Sequence, residues 1–239
     1  VRQVVVWPAG GATPPLPCDM RRGAVSAPKA RDRLRRNLFM VVYDPQKHHR
    51  RSTRLPGFDY SQPGYYFVTF CVHLRECLLA DVIGDSVGLS TFGQIVRDVF
   101  DQTAVNLWNV SIDQDVVMPN HAHVIYRIHE WTQEIETAFA LEVSVRSQSD
   151  QLAPDLPIRS LTRKPTLGQI VAFHKYETTR RINRARNMAG TRFWQRGFYE
   201  HIVRTQRELD AIRRYIINNP RQWALDRDNP KNIAGSMTQ

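Results

Sequence analysis

Residues 116–128, VVMPNHAHVIYRI, constrain this chain more than any other stretch. Two β-branched runs flank a Pro-Asn pair, the pattern of two paired strands joined by a tight turn with Pro119 and Asn120 at its corners. Side chains alternate faces along a strand, so His121 and His123 point the same way and Val124 and Tyr126 face oppositely to them. A lone strand histidine is more often structural than a ligand. Two at i and i+2, directly after a turn, make half of a divalent-metal site. His129 shares their parity but lies about 20 Å further along an extended strand, out of reach of the same ion.

Pattern orders the elements around this hairpin. Residues 65–73, YYFVTFCVH, are dense in aromatic and β-branched side chains and predict a buried strand. After a loop holding Gly84 and Gly88, Leu89 to Trp108 predicts a helix: Phe92, Ile95, Val96, Val99 and Phe100 recur at three- and four-residue spacing, with Ser90 or Thr91 as its cap. Thr166 to Asn187 predicts a second helix, with Leu167, Ile170, Val171, His174, Thr178 and Ile182 on one side and a basic remainder. Phe198 to Val203 predicts a strand, and Thr205-Gln206-Arg207-Glu208 is a capping box that opens a final helix, which carries Leu209, Ile212 and Ile216 inward and stops at Pro220. Residues 130–165 lose periodicity and predict a flexible surface insertion. The order β-α-β-β-α-β followed by a helix predicts an α+β fold: a ferredoxin-like split βαβ sandwich, its antiparallel sheet covered by helices on one face, plus a C-terminal helix.

The 239 residues are 42% hydrophobic and 23% charged, enough for one domain with a sizeable core and extensions beside it. A net charge of +10 points to a polyanionic partner, with nucleic acid the first candidate. Cys18, Cys71 and Cys77 form no C-x-x-C pair and are odd in number, which argues for a reducing compartment and against a structural zinc. With no apolar run long enough for a bilayer and no secretory signal, the expectation is a cytoplasmic protein without a membrane partner. Residues 1–49 are broken by prolines and rich in arginine, and predict a disordered basic extension. Val1 stands where an initiator is expected and Met40 precedes the better-organised stretch, so two readings stand for the first 39 residues: an artefact of start assignment, or an arm that touches nucleic acid. The expected domain spans 50–223, with a tail over 224–239. No glycine-rich phosphate loop is present, so no nucleotide cofactor is expected.

MPNHAHVI resembles the histidine-hydrophobic-histidine signature of the HUH endonucleases, and its lead-in is similar to that of the single-tyrosine transposases. RLPGFDYSQPGYYFVTFCVHLRECLL, FHKYETTRRIN, FWQRGFYEHIVR and ELDAIRRYIINNP, in this order, resemble the REP-associated tyrosine transposases over about residues 50–223. The resemblance implies a nucleophilic tyrosine on the last core helix, at Tyr215, and a third metal ligand one turn later, at Asn219. With His121 and His123 these would hold a divalent ion, Mg2+ or Mn2+. The implied activity is that of a metal-dependent endonuclease and strand transferase, acting on single-stranded DNA at hairpin or palindromic repeats through a covalent 5′-phosphotyrosine. A bacterial, nucleoid-associated location is implied too, with the site built within one chain or across a homodimer. Positions i and i+4 share a helix face, so the spacing permits this arrangement. It equally permits Tyr215 to pack beside Ile212 and Ile216, and Asn219 to end the helix before proline.

Lys175, Arg180, Arg181, Arg184, Arg196, Arg204 and Arg214, with Arg192 and Arg213, are candidates for phosphate contacts. The resemblance suggests Arg50, Arg51 and Arg54 for the base of a hairpin. Each of these can instead be a solvated surface charge. Trp194 and Tyr199 read either as stacking platforms or as core, and His201 as structural. Two other activities fit the same residues: a non-catalytic nucleic-acid-binding protein on this fold, and a metal phosphodiesterase that uses water.

Overall fold

The computed structural model describes residues 54–148, 164–226, 228–230 and 232. The chain divides into two compact units, Val1–Pro56 and Gly57–Gln239, and only residues 54–56 of the first are described. Arg50, Arg51 and the whole of the basic extension over residues 1–49 lie outside the described residues.

The second unit is built on a four-stranded antiparallel sheet of β1 (Gly64–Cys71), β4 (Val110–Val117), β5 (His121–Ile128) and β6 (Tyr199–Val203), in the order β4-β5-β1-β6. Taken in chain order these are strands 2-3-1-4 of a split βαβ unit, so the fold is the α+β, ferredoxin-like arrangement. One sheet face carries Tyr66, Val68, Phe70, Ala122, Val124, Tyr126 and Ile128. It is covered by α1 (Thr91–Asp101) and α4 (Leu167–Ala185), which bring Val96, Phe100, Leu167, Ile170, Val171 and Ile182 into the main core. The opposite face carries Phe67, Thr69, Ile125, His121 and His123, and is covered by α5 (Gln206–Gln222) through Leu209, Ile212 and Ile216.

Several elements differ from the sequence pattern for identifiable reasons. The loop at Gly84 is a hairpin of β2 (Ala80–Ile83) and β3 (Ser86–Leu89), turned by a two-residue Gly84-Asp85 corner with Gly84 at φ 60°. The helix expected over Leu89–Trp108 breaks at Gln102 and resumes as α2 (Thr103–Asn106). There Thr103 Oγ1 bonds the buried His174 Nε2 at 2.8 Å, while His174 Nδ1 donates to the Ile170 carbonyl at 2.9 Å. Part of the expected insertion is helical, as α3 (Gln133–Gln148), and residues 149–163 lie outside the described set. Helix formers fill α3 and the Thr132 hydroxyl accepts from the Ile135 N–H at its start, yet no one-sided apolar stripe announces it. Phe139 meets Trp108 and Trp131 edge-on. Finally, α5 does not stop at Pro220. The proline occupies its last turn, and a short 3-10 turn over Trp223–Leu225 continues the coil, with the Trp223 N–H donating to the Pro220 carbonyl. Asn219 is therefore helical.

Two ion pairs from edge strand β4 fasten helices on opposite faces. A bulge at Asp113 interrupts the β4–β5 ladder between Ile112 and Gln114. Asp113 accepts two bonds from Arg213 of α5, at 2.8 and 2.5 Å. Asp115, on the other face, pairs with Arg97 of α1 at 2.8 Å. Burial pushes the Asp115 carboxyl up and the Arg97 guanidinium draws it back down.

Helix α1 approaches the segment before β2 closely enough that Ser90 N donates to the Leu79 carbonyl at 2.9 Å, and a Cβ on Gly93 would collide with that carbonyl oxygen. Gly93→Ala is expected to lower stability by about 1–3 kcal/mol despite alanine's better helix propensity, because backbone must give way. Urea unfolding checks this, and an unchanged or raised midpoint would show that the helix can shift freely.

Candidate active site

His121 and His123 open β5 immediately after the Met118–Asn120 connection. Both are fully buried, and their Nε2 atoms face each other at 3.1 Å. Helix α5 lies across them. Tyr215 Oη is 3.2 Å from His123 Nε2, within the same chain. Asn219, one turn on, is 2% exposed, its carboxamide facing His121 with no well-aligned hydrogen bond to Oδ1 among the described residues. Phe67 stacks on the His123 ring and meets Tyr215 edge-on, while the Trp223 ring lies 6.1 Å from that of His121.

The far nitrogen of each imidazole is anchored. His123 Nδ1 is 2.7 Å from Thr69 Oγ1, its cross-strand neighbour on β1. His121 Nδ1 is 2.9 Å from Asn120 Oδ1. The Asn120 amide nitrogen donates to the Asp228 carbonyl at 2.8 Å and the Arg75 carbonyl at 3.2 Å, which turns its oxygen toward His121. His121 Nδ1 therefore carries a proton and its Nε2 presents a lone pair. The Thr69 hydroxyl can donate or accept, so His123 is free to present a lone pair as well. Arg75, which forms an ion pair with Asp228, sits with Leu74 in a left-handed pair at φ 57° each, a local strain that the surrounding bonds hold in place.

Burial sets the electrostatics. It pushes the His121 imidazole down to about 3, helped by the nearby Arg75 charge and opposed by the Asn219 carboxamide. Burial, with His121 beside it, holds His123 well below the ordinary histidine range. Both rings are neutral at physiological pH, the form that ligates metal. Two nitrogens bound to one first-row ion at about 2.0–2.1 Å lie about 3.0–3.4 Å apart, so the donor set fits a divalent cation. The buried Asn219 oxygen would offer such an ion a third, harder donor. Among the described residues no cluster of three His, Cys, Asp or Glu side chains is arranged to hold a metal, so an ion held by the histidine pair would need the amide as its third donor.

A protein of Haemophilus influenzae, described as uncharacterized, is 33% identical over 184 residues, covering 77% of this chain and 95% of that one. The chain belongs to that protein's family. No family model matches the chain. Among solved structures, this family member is similar to a REP-associated tyrosine transposase bound to a REP hairpin, at 18% identity and TM-score 0.41, over 71% of this chain and 72% of that one. It is also similar to a putative transposase from Deinococcus radiodurans R1, at 16% identity and TM-score 0.33, over 70% and 97%.

The basic candidates separate into groups. Lys175 is a structural lysine: its Nζ donates to the Gln195 and Gly197 carbonyls, both at 2.6 Å, and burial draws it down to about 8. Arg180 and Arg181 bond the buried Glu177, and Arg213 is held by Asp113 and Asp210. Arg54, Arg184, Arg192, Arg196, Arg204 and Arg214 are exposed. Trp194 belongs to the core, its Nε1 donating to Thr178 Oγ1 at 2.8 Å, and Tyr199 packs edge-on to Phe67. His201 bonds Glu208 at 2.6 Å, beside the cap of α5. Thr69, Asn120, Arg75 and Asp228 are the site residues that pattern alone did not single out. A threonine amid the apolar YYFVTFCVH was the visible signal for the first of them.

Folded histidine values below the unfolded value of about 6.5 mean that the unfolded chain binds protons the native one refuses, so stability is present above that pH and is lost as pH falls. His121, His123 and the likewise buried His174, drawn down to about 4, each give a slope of about 1.4 kcal/mol per pH unit below about 6.5. The urea midpoint should fall steadily from pH 7 to pH 5, and a flat profile would contradict burial of the neutral rings. Separately, Asn120→Ala should weaken Mn2+ affinity, measured by calorimetry, by about 10- to 100-fold. Unchanged affinity would remove Asn120 from the positioning of His121.

Proposed function

We propose that this chain is a metal-dependent endonuclease and strand transferase of single-stranded DNA, acting at hairpin or palindromic sites with Tyr215 as its nucleophile. One observation carries the reading: the Tyr215 phenol lies 3.2 Å from His123 Nε2, beside a buried histidine pair and the buried Asn219 carboxamide. The resemblance of MPNHAHVI and RRYIINNP to the HUH transposases supports it, since the residues matched there are the ones that converge here. So does the net charge of +10, which suits a polyanionic substrate.

His121, His123 and Asn219 would hold the cation. When bound, a divalent ion supplies polarisation of the scissile phosphate and neutralises the charge that builds in the transition state. The chain's own part is placement. Phe67 and the α5 packing fix the phenol against the histidines, Thr69 and Asn120 hold the ring orientations, and Trp223 covers His121. The Tyr215 oxygen attacks phosphorus and the bond to the 3′ oxygen breaks. The phenol proton leaves and the released 3′ oxygen takes one up. The product is a 5′-phosphotyrosine and a free 3′ hydroxyl, and the phosphodiester energy is conserved for the reverse attack by a second hydroxyl, with no nucleotide cofactor.

Incubating the protein with single-stranded palindromic DNA and Mn2+ should yield a covalent protein–DNA adduct on a denaturing gel. Tyr215→Phe should abolish it, Asn219→Ala should reduce it by about 10- to 100-fold, and chelation should stop adduct formation while leaving DNA binding intact. Cleavage that persists in Tyr215→Phe would favour water as nucleophile. Binding with no adduct under any metal would favour a non-catalytic DNA-binding protein.

A further inference from the structure

The layer opposite the histidines contains a groove of about 900 Å³ between α4 and residues 187–196. Its wall is rigid. The Asn187 and Met188 N–H groups close the end of α4 onto the Arg184 and Asn183 carbonyls, Asn183 Nδ2 donates to the Thr191 carbonyl at 2.7 Å, and Lys175 clamps the far side through Gln195 and Gly197. Residues 193–195 run beside the end of β1, with Gln195 N donating to the Cys71 carbonyl at 2.9 Å and Val72 bridging Trp194. Cys71 is the register partner of His121, so this wall of the groove runs past the sheet end that bears the histidine pair.

Its lining is one-sided in charge. Lys175, Arg180, Arg184, Arg192 and Arg196 face it and no carboxylate does. Glu177, the acid nearest in sequence, is buried and taken by Arg180 and Arg181. Arg184, Arg192 and Arg196 are exposed and have no carboxylate partner among the described residues. Tyr176 stands 59% exposed at the rim, a large ring with no core to fill, and the exposed Asn187 offers a carboxamide. Arg184, Arg192 and Arg196, an exposed ring and an amide together suit phosphates, base faces and base edges. A duplex hides the faces that Tyr176 would stack upon, so an unpaired strand fits better than a paired one.

We propose that this groove holds a segment of single-stranded DNA outside the stretch that is cleaved, a second binding site on the same strand. The inference rests on the single-stranded DNA reading above and adds where the uncleaved part of the strand lies. Each phosphate contact contributes about 0.7 to the salt slope of single-strand binding.

The test measures affinity by fluorescence anisotropy for a labelled 20-mer of unstructured DNA, in the Tyr215→Phe background so that no adduct interferes. Arg184→Glu and Arg192→Glu should each weaken binding by about tenfold and flatten the salt slope by about 0.7, whereas Arg207→Glu, an equal charge change on exposed α5, should do neither. Tyr176→Ala should weaken binding to the 20-mer but leave binding to heparin, a polyanion without bases, unchanged. If the groove variants bind as Arg207→Glu does, or if Tyr176→Ala affects both ligands alike, the groove is not a single-strand site. Loss of 20-mer binding in the groove variants, together with no adduct from the parent that keeps Tyr215, would retain the groove and overturn the cleavage reading. Adduct formation with groove variants of undiminished affinity would retain cleavage and overturn the groove.

Discussion

Two neutral imidazoles buried edge to edge at 3.1 Å are a demanding thing for a protein to hold. Their lone pairs repel when both Nε2 atoms are bare, and neither ring can escape into a charged form without water. Much of the neighbouring structure answers that demand. Thr69 and Asn120 pin the distal nitrogens, Phe67 supports one ring from below, and α5 closes the face that would otherwise admit solvent. The Thr69 hydroxyl, able to donate or accept, lets His123 exchange tautomer without moving.

The support extends beyond direct contacts. Asn120 is a turn residue by sequence, but its amide ties three segments together: the strained Leu74–Arg75 corner, the histidine strand, and the chain near Asp228 that follows α5. The Arg75–Asp228 ion pair closes the same ring of contacts. His121 is thus oriented by residues over a hundred positions away, which explains why a chain segment beyond the last helix packs back against the hairpin.

What could be read from the sequence followed the range of the forces involved. Alternation along residues 121–128 is a local property, and it placed the histidines on one face, with Val124 and Tyr126 on the other. Of the capping box patterned at Thr205, the half in which Thr205 Oγ1 accepts from the Glu208 N–H forms, while the Glu208 carboxylate takes the Arg204 N–H and His201 instead. A full box forms at Thr166, where the pattern marked only a helix. Thr69 and Asn120 became visible as site residues only with the β1–β5 register and the packing of the C-terminal segment, which no local pattern encodes. Pro220 misled for a similar reason: its helix-breaking tendency is local, but burial of Asn219 and the packing of Trp223 against His121 keep the coil turning through it. The helical charge stripe read as one basic face, and Glu177 divides it into arginines held inside the protein and arginines left outside.

The bulge at Asp113 gives β4 two reading frames. Before it, Val110 and Ile112 turn toward α1 and α4, and after it Asp115 and Val117 do, so the inward positions pass from even to odd numbers within one strand. That shift lets a single edge strand present one carboxylate to each helical layer, which a regular alternation could not do with acids two residues apart. Deleting Asp113 would restore a regular ladder in which Ile112 and Gln114 keep their present partners and faces. The helix that carries Tyr215 would lose its anchor while the histidine pair remained in place.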